Sequence, residues 1–206
     1  MTKSEKLNFL ILFLLGGVSS FSLPPYNFFF INFISFTFLF LFLVEAKNSN
    51  KSKLIFFLYG WFFGFGYFIC SLYWISISLT FDNNFKFLIP ISIICIPAFI
   101  SIFFGSSTLI TKFFLSQNKI ITSVLIFSLV LSIIEYIRGI VLSGFPWNLV
   151  AYSFSDQTEF IQINSLLGIY GFNLLCITLY NTIYMVHQKV KKKYLLYFYC
   201  WNFSHI

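Results

Sequence analysis

The chain has 206 residues, 59% of them hydrophobic and 9% charged, with a mean hydropathy of +0.88. Soluble domains carry about 25% charged residues, so this composition excludes an ordinary water-soluble fold and places the chain in the membrane class. The net charge of +7 does not indicate nucleic acid, because the lysines flank apolar runs and form no basic face.

In chain order the apolar runs are Leu7–Leu23, Phe28–Val44, Leu54–Phe81, Phe87–Ile110, Ile120–Leu142 and Phe160–Val186. Each is close to the roughly 20 residues that cross a hydrocarbon core. The first follows Lys3 and Lys6 as a signal peptide would. It has no Ala-x-Ala-like cleavage site and is long for a signal, so it is expected to be retained as span one. Runs one and two would measure about 57 Å as a single helix, and Pro24-Pro25 would break it, so they are read as a hairpin. In the third, Gly60 and Gly64 form a Gly-x-x-x-Gly pattern without the Lys-Ser/Thr of a phosphate loop, which predicts close helix packing. Tyr73 and Trp74 then fall near a membrane interface.

A further apolar stretch begins at Tyr194, after the lysines at 189 and 191–193, and reaches Ile206 in about 20 Å of helix, too short to span. The expected fold is therefore an all-α polytopic transmembrane bundle of six spans plus a partial seventh. Residues 1–193 form the bundle, and residues 194–206 the start of the seventh span.

Lysine placement gives orientation. Lys3, Lys6, Lys47, Lys51, Lys53, Lys112, Lys119 and the four lysines at 189–193 fall on one side if the spans alternate. Only Lys86 and Arg138 lie towards the other, which predicts a cytoplasmic N-terminus. The "KVKKK" cluster is more simply a cytoplasmic stop signal than an anionic-lipid site.

Cys70, Cys95, Cys176 and Cys200 all sit in apolar stretches with no CxxC pair and no partnering histidine spacing, so they are read as buried hydrophobes. No metal site, no cofactor and no catalytic residue is assigned to this chain.

The unusual stretch is "EYIRGIVLSGFPWNLVAYS", residues 135–153. Glu135 and Arg138 are three apart and share a helix face in a run otherwise without charge. A charge at mid-bilayer costs about 2.5 to 3.5 kcal/mol on insertion scales. An ion pair that pins helices and a contact to a lipid headgroup or substrate are equally compatible with the residues. Behind them, Gly144 frees the backbone, Pro146 stops a helix and Trp147 favours the interface, as in a shaped outer loop. Irregular backbone at that depth is tolerated where it is buried or lines a wet cavity.

This stretch resembles the signature segment of apolipoprotein N-acyltransferase, a bacterial inner-membrane family. The resemblance is carried by Glu135, Arg138, Gly139, Gly144, Phe145, Pro146, Trp147, Tyr152 and Ser153. "LLGIYGFNLL" at 166–175, "GFGYF" with "YWIS" in the third run, and "SLPPYN" after the first are similar to further family segments. The resemblance implies transfer of an acyl chain from a membrane phospholipid to the N-terminal diacylglyceryl-cysteine of a lipoprotein. It also implies that the chemistry belongs to a nitrilase-like domain with a Glu-Lys-Cys triad, which this sequence does not contain. The chain is thus expected to be the membrane region of such an enzyme, truncated or split, and not catalytic alone. Glu135, Arg138, Gly144, Phe145, Pro146, Trp147 and Tyr152 are the candidates for facing lipid or substrate. The alternative is a non-catalytic remnant or a lipid-binding protein.

Overall fold

A computed structural model describes residues 3–116, 119–142 and 147–187. The partial seventh span expected at 194–206 lies outside the described residues, as do Gly144, Phe145 and Pro146.

The described residues are helical, without a strand, and six helices are long and apolar enough to cross a membrane. The elements are α1 (Lys3–Ser19), α2 (Ile31–Asn48), α3 (Lys53–Ser71), α4 (Ile89–Phe114), α5 (Ile120–Leu142), α6 (Thr158–Ile161) and α7 (Asn164–Tyr180). After a turn at Asn181 the last helix continues to His187. The hairpin between α1 and α2 turns at Pro24 and Pro25, whose peptide bond is cis.

Two apolar runs differ from the continuous helices that the sequence suggests. The run Leu54–Phe81 would be about 42 Å long as one helix, more than the core needs. Its α-helix stops at Ser71, and Tyr73–Thr80 winds as a tighter 3₁₀ segment. There the hydroxyls of Ser76, Ser78 and Thr80 donate to the carbonyls three residues back, at 2.6, 2.7 and 2.7 Å, which favours the tighter winding. The run Phe160–Val186 is broken at Gly168, where φ is +68°. That left-handed conformation is open to glycine at no steric cost, and it separates residues 164–167 from the buried part of α7.

Helix α3 is the centre of the bundle, with α1 on one side and α4 on another. Glycines on two of its faces permit this. A Cβ on Gly60 would collide with the Phe104 carbonyl and the Thr108 hydroxyl of α4. A Cβ on Gly66 would collide with the Phe13 carbonyl of α1, and one on Gly16 of α1 with the Phe63 carbonyl of α3. The predicted Gly60–Gly64 pattern therefore packs α3 on α4, whereas the α1 contact rests on Gly16 and Gly66, which the pattern does not pick out. Helix α2 packs on α3 and α7, and α5 lies between α4 and α7. The core so formed is largely aromatic: Phe36, Phe40, Phe56, Phe63, Phe68 and Phe104 are all buried.

One end of the bundle gathers lysines. Lys51 pairs with Glu5 at 2.9 Å, Lys47 Nζ donates to the Lys112 carbonyl at 2.9 Å, and Lys112 Nζ donates to the Lys51 carbonyl at 2.6 Å. The Lys112 carbonyl belongs to the last turn of α4, the favourable end of the macrodipole for a cation, and the Lys51 carbonyl lies in the link before α3. The opposite end carries the Pro24–Pro25 turn, the 3₁₀ segments and the loop before α6. Asn27 donates to Asp156 and accepts from Ser155 Oγ at 3.1 Å, tying the turn to that loop.

Candidate functional site

Glu135 and Arg138 both lie in α5, and both are buried, at 0% and 1% exposure. Arg138 Nη2 reaches Glu135 Oε1 at 3.4 Å. The guanidinium also lies over the Phe68 ring of α3, 5.0 Å from its centroid. One donor of five is thereby engaged with the carboxylate. Nε and Nη1 of Arg138 are buried with no hydrogen-bond partner among the described residues. An orphaned charged donor is among the more costly states a protein tolerates, which marks the position as a place for an acceptor.

The carboxylate has a second contact, to Asn173 of α7. Asn173 Nδ2 donates to Glu135 Oε2 at 2.5 Å, while Asn173 Oδ1 accepts from the Ala151 amide at 2.9 Å. Asn173 thus fastens the helix bearing the ion pair to the 3₁₀ turn Val150–Phe154, which carries Tyr152. Two further bonds hold the preceding residue of that loop. The Tyr67 hydroxyl donates to the Asn148 carbonyl at 3.2 Å, and Asn148 Nδ2 donates to the Ser71 carbonyl at 3.2 Å. Ser153 shares a 2.6 Å hydrogen bond with the Tyr180 hydroxyl beneath it.

Of the sequence-selected residues, Glu135, Arg138, Trp147 and Tyr152 are described and lie on adjoining elements. Trp147 is half-buried and borders an apolar groove of about 390 Å³ with Ile75, Cys95, Phe99 and Ile100. Tyr152, half-buried on the other side of the loop, borders a second cavity of about 830 Å³. Burial, with Tyr170 nearby, pushes the Tyr152 phenol above its ordinary value, and the Arg138 guanidinium partly offsets this. It is therefore a neutral hydrogen-bond donor at physiological pH. Gly139, next to Arg138, faces the Tyr170 hydroxyl, which would have to move to admit a Cβ.

Asn173 and Tyr67 complete this arrangement, and neither was selected from the sequence. A signal for Asn173 existed: an amide within an apolar span demands a buried partner, although Asn181 of the same span carries the same signal. Nothing in the local sequence distinguishes Tyr67 from the other aromatic residues of α3. Of the cysteines, Cys176 is buried as expected, but Cys70 and Cys95 are exposed.

A protein named apolipoprotein N-acyltransferase from Rhizobium rhizogenes is 30% identical over 174 residues, covering 82% of this chain and 32% of the relative. One of the same name from Rickettsia prowazekii is 37% identical over 132 residues, covering 64% of this chain and 26% of the relative. The chain spans about a quarter to a third of the length of such curated relatives. Six membrane-type helices and these relatives together make it a membrane protein. The family described as "Apolipoprotein N-acyltransferase N-terminal domain" matches residues 15–183, nearly all of the bundle and every described residue of the Glu135–Arg138 site, and the chain belongs to that family.

Proposed function

We propose that this chain acts as the membrane region of an apolipoprotein N-acyltransferase in a bacterial inner membrane. Its role is to hold a phospholipid donor beside the site where a lipoprotein's N-terminal diacylglyceryl-cysteine receives the acyl chain. The observation that carries this reading is Arg138, buried yet with two guanidinium donors unpartnered. A lipid phosphate or ester oxygen supplies the acceptors that the protein does not. Glu135 holds the guanidinium in place, and Trp147 and Tyr152, on the adjoining loop, border the cavities on either side.

The acyl transfer itself is assigned to residues other than those described here. Nucleophilic catalysis needs a base beside the nucleophile. Among the described residues, no acidic or basic side chain is hydrogen-bonded to Cys70, Cys95 or Cys176. The 206-residue chain, purified in phospholipid micelles, is accordingly expected to transfer no acyl group to a diacylglyceryl-cysteine peptide. Transfer that disappears on replacing any one cysteine would overturn this assignment.

The proposed orientation has the lysine-bearing end in the cytoplasm, because positive charge is retained on that side. Reporter fusions at Asn50 and Lys191 are expected to be cytoplasmic and a fusion at Asn83 external. Finding Asn83 and Lys191 on the same side would refute the six-span topology.

A further inference from the structure

We propose that the 830 Å³ cavity beside Tyr152 is a binding site for the uncharged, ester-bearing glycerol region of a lipid. It lies where the ends of α1 and α3, the Pro24–Pro25 turn and the loop before α6 meet. Its apolar wall is formed by Phe21, Leu23, Pro24, Pro25, Ile69 and Trp74, a surface suited to the first methylenes of acyl chains.

The polar lining decides the ligand class. Tyr26, Tyr73 and Tyr152 line the cavity, and their hydroxyls make no hydrogen bond to another described residue. Two serine hydroxyls are already turned to the protein: Ser20 Oγ donates to the Gly17 carbonyl at 2.7 Å, and Ser155 Oγ donates to Asn27, whereas the Ser71 hydroxyl, also in the lining, is buried without a partner among the described residues and adds a further neutral donor. The lining thus offers phenolic donors to a ligand that brings acceptors. No Asp, Glu, Lys, Arg or His is among the described lining residues. Arg138, whose two unpartnered donors are the phosphate contact proposed above, is buried in α5 and is not one of the residues lining this cavity. Moving a phosphate or an ammonium into such a lining costs several kcal/mol with no charge to offset it. Ester carbonyls are acceptors without charge, and they sit between acyl chains and a headgroup, matching the passage from apolar wall to phenol rim. Tyr26, Tyr73 and Trp74 are exposed aromatics at that rim, as residues at a membrane–water interface are. The assignment deepens the acyl-transfer reading, because such a reaction handles ester lipids. Its test involves no transfer, so either can fail without the other.

Cys70 lines the cavity and serves as a native reporter. In a chain carrying Cys95→Ser and Cys200→Ser, the rate of Cys70 alkylation by N-ethylmaleimide is measured in dodecylmaltoside, with Cys70→Ser as background. Dioctanoylglycerol is expected to slow alkylation at least fivefold. The diether analogue, with the same chains and no carbonyls, is expected to slow it less than twofold. Tyr152→Phe and Tyr26→Phe, confirmed as folded by size-exclusion chromatography, should each weaken the protection by dioctanoylglycerol. Dioctanoyl phosphatidylglycerol separates the two sources of the same chemistry. Protection equal to that of the diglyceride assigns the site to a phospholipid with its headgroup outside, and much weaker protection assigns it to a neutral glyceride. Equal protection by diester and diether, or protection by neither, overturns the proposal.

Discussion

Arg138→Ala, introduced into a full-length enzyme carrying this membrane region, is expected to lower membrane-protein yield and to abolish acyl transfer. Adding Glu135→Gln should restore the yield but not the transfer. The two effects have separate origins. Removing Arg138 alone strands a carboxylate that is 0% exposed, and breaking a buried pair from one side costs about 3–5 kcal/mol. Removing both charges eliminates that stranded state and can be close to neutral, since glutamine still offers an oxygen to Asn173. Transfer is different, because the two orphaned donors, Nε and Nη1, are lost in both variants. A hydrogen bond to a charged group is worth about 1.5–3 kcal/mol, so losing even one should slow transfer by about tenfold to a hundredfold. Glu135→Gln alone should keep part of the activity. If the double variant recovers both yield and transfer, the pair is structural and has no role at the lipid.

The second large effect is expected at the contact between α1 and α3. Gly66→Ala should destabilise the bundle by at least about 1–3 kcal/mol, the usual cost of an extra carbon in a filled interface. The reason is that the added Cβ meets backbone, the Phe13 carbonyl and the Gly17 nitrogen, which cannot rotate away. In a bilayer the cost is not hidden by hydrophobic attraction, since lipid is as apolar as the helix surface and close packing holds the helices together. Gly17→Ala is the control on the same interface. Its Cβ would stand 3.4 Å from Cys70 Sγ and 3.7 Å from the Gly66 carbonyl, ordinary contact distances. Thermal midpoints in detergent should therefore fall clearly for Gly66→Ala and hardly at all for Gly17→Ala. Equal midpoints would mean that α1 can shift outward at little cost.

These expectations differ in where they come from. That Glu135 and Arg138 belong together was legible in the sequence, because two charges three residues apart in a helix must face the same way. Their burial against Phe68, the unpartnered nitrogens and the tie through Asn173 to Ala151 were not. Asn173 lies 38 residues from Glu135, and no local pattern encodes that pairing. Likewise, the Gly60–Gly64 spacing announced a packed face, but not that α4 would fill it, nor that Gly66 would face α1.

The sequence by itself determined the medium, the six spans, the hairpin at Pro24-Pro25 and the family, because hydrocarbon admits few backbone solutions and the apolar runs have the length it requires. It misjudged the ends of two runs. Hydropathy measures only whether residues prefer lipid, and it does not show that the α-helix of Leu54–Phe81 gives way to 3₁₀ winding after Ser71, or that Gly168 turns the chain. The tertiary structure alone decided which helix neighbours which, and so placed the loop of Trp147 and Tyr152 between two cavities of different chemistry. Helix adjacency in a membrane is set by contacts between distant segments and by shape, not by polarity. A sequence that is apolar on nearly every face carries little record of it.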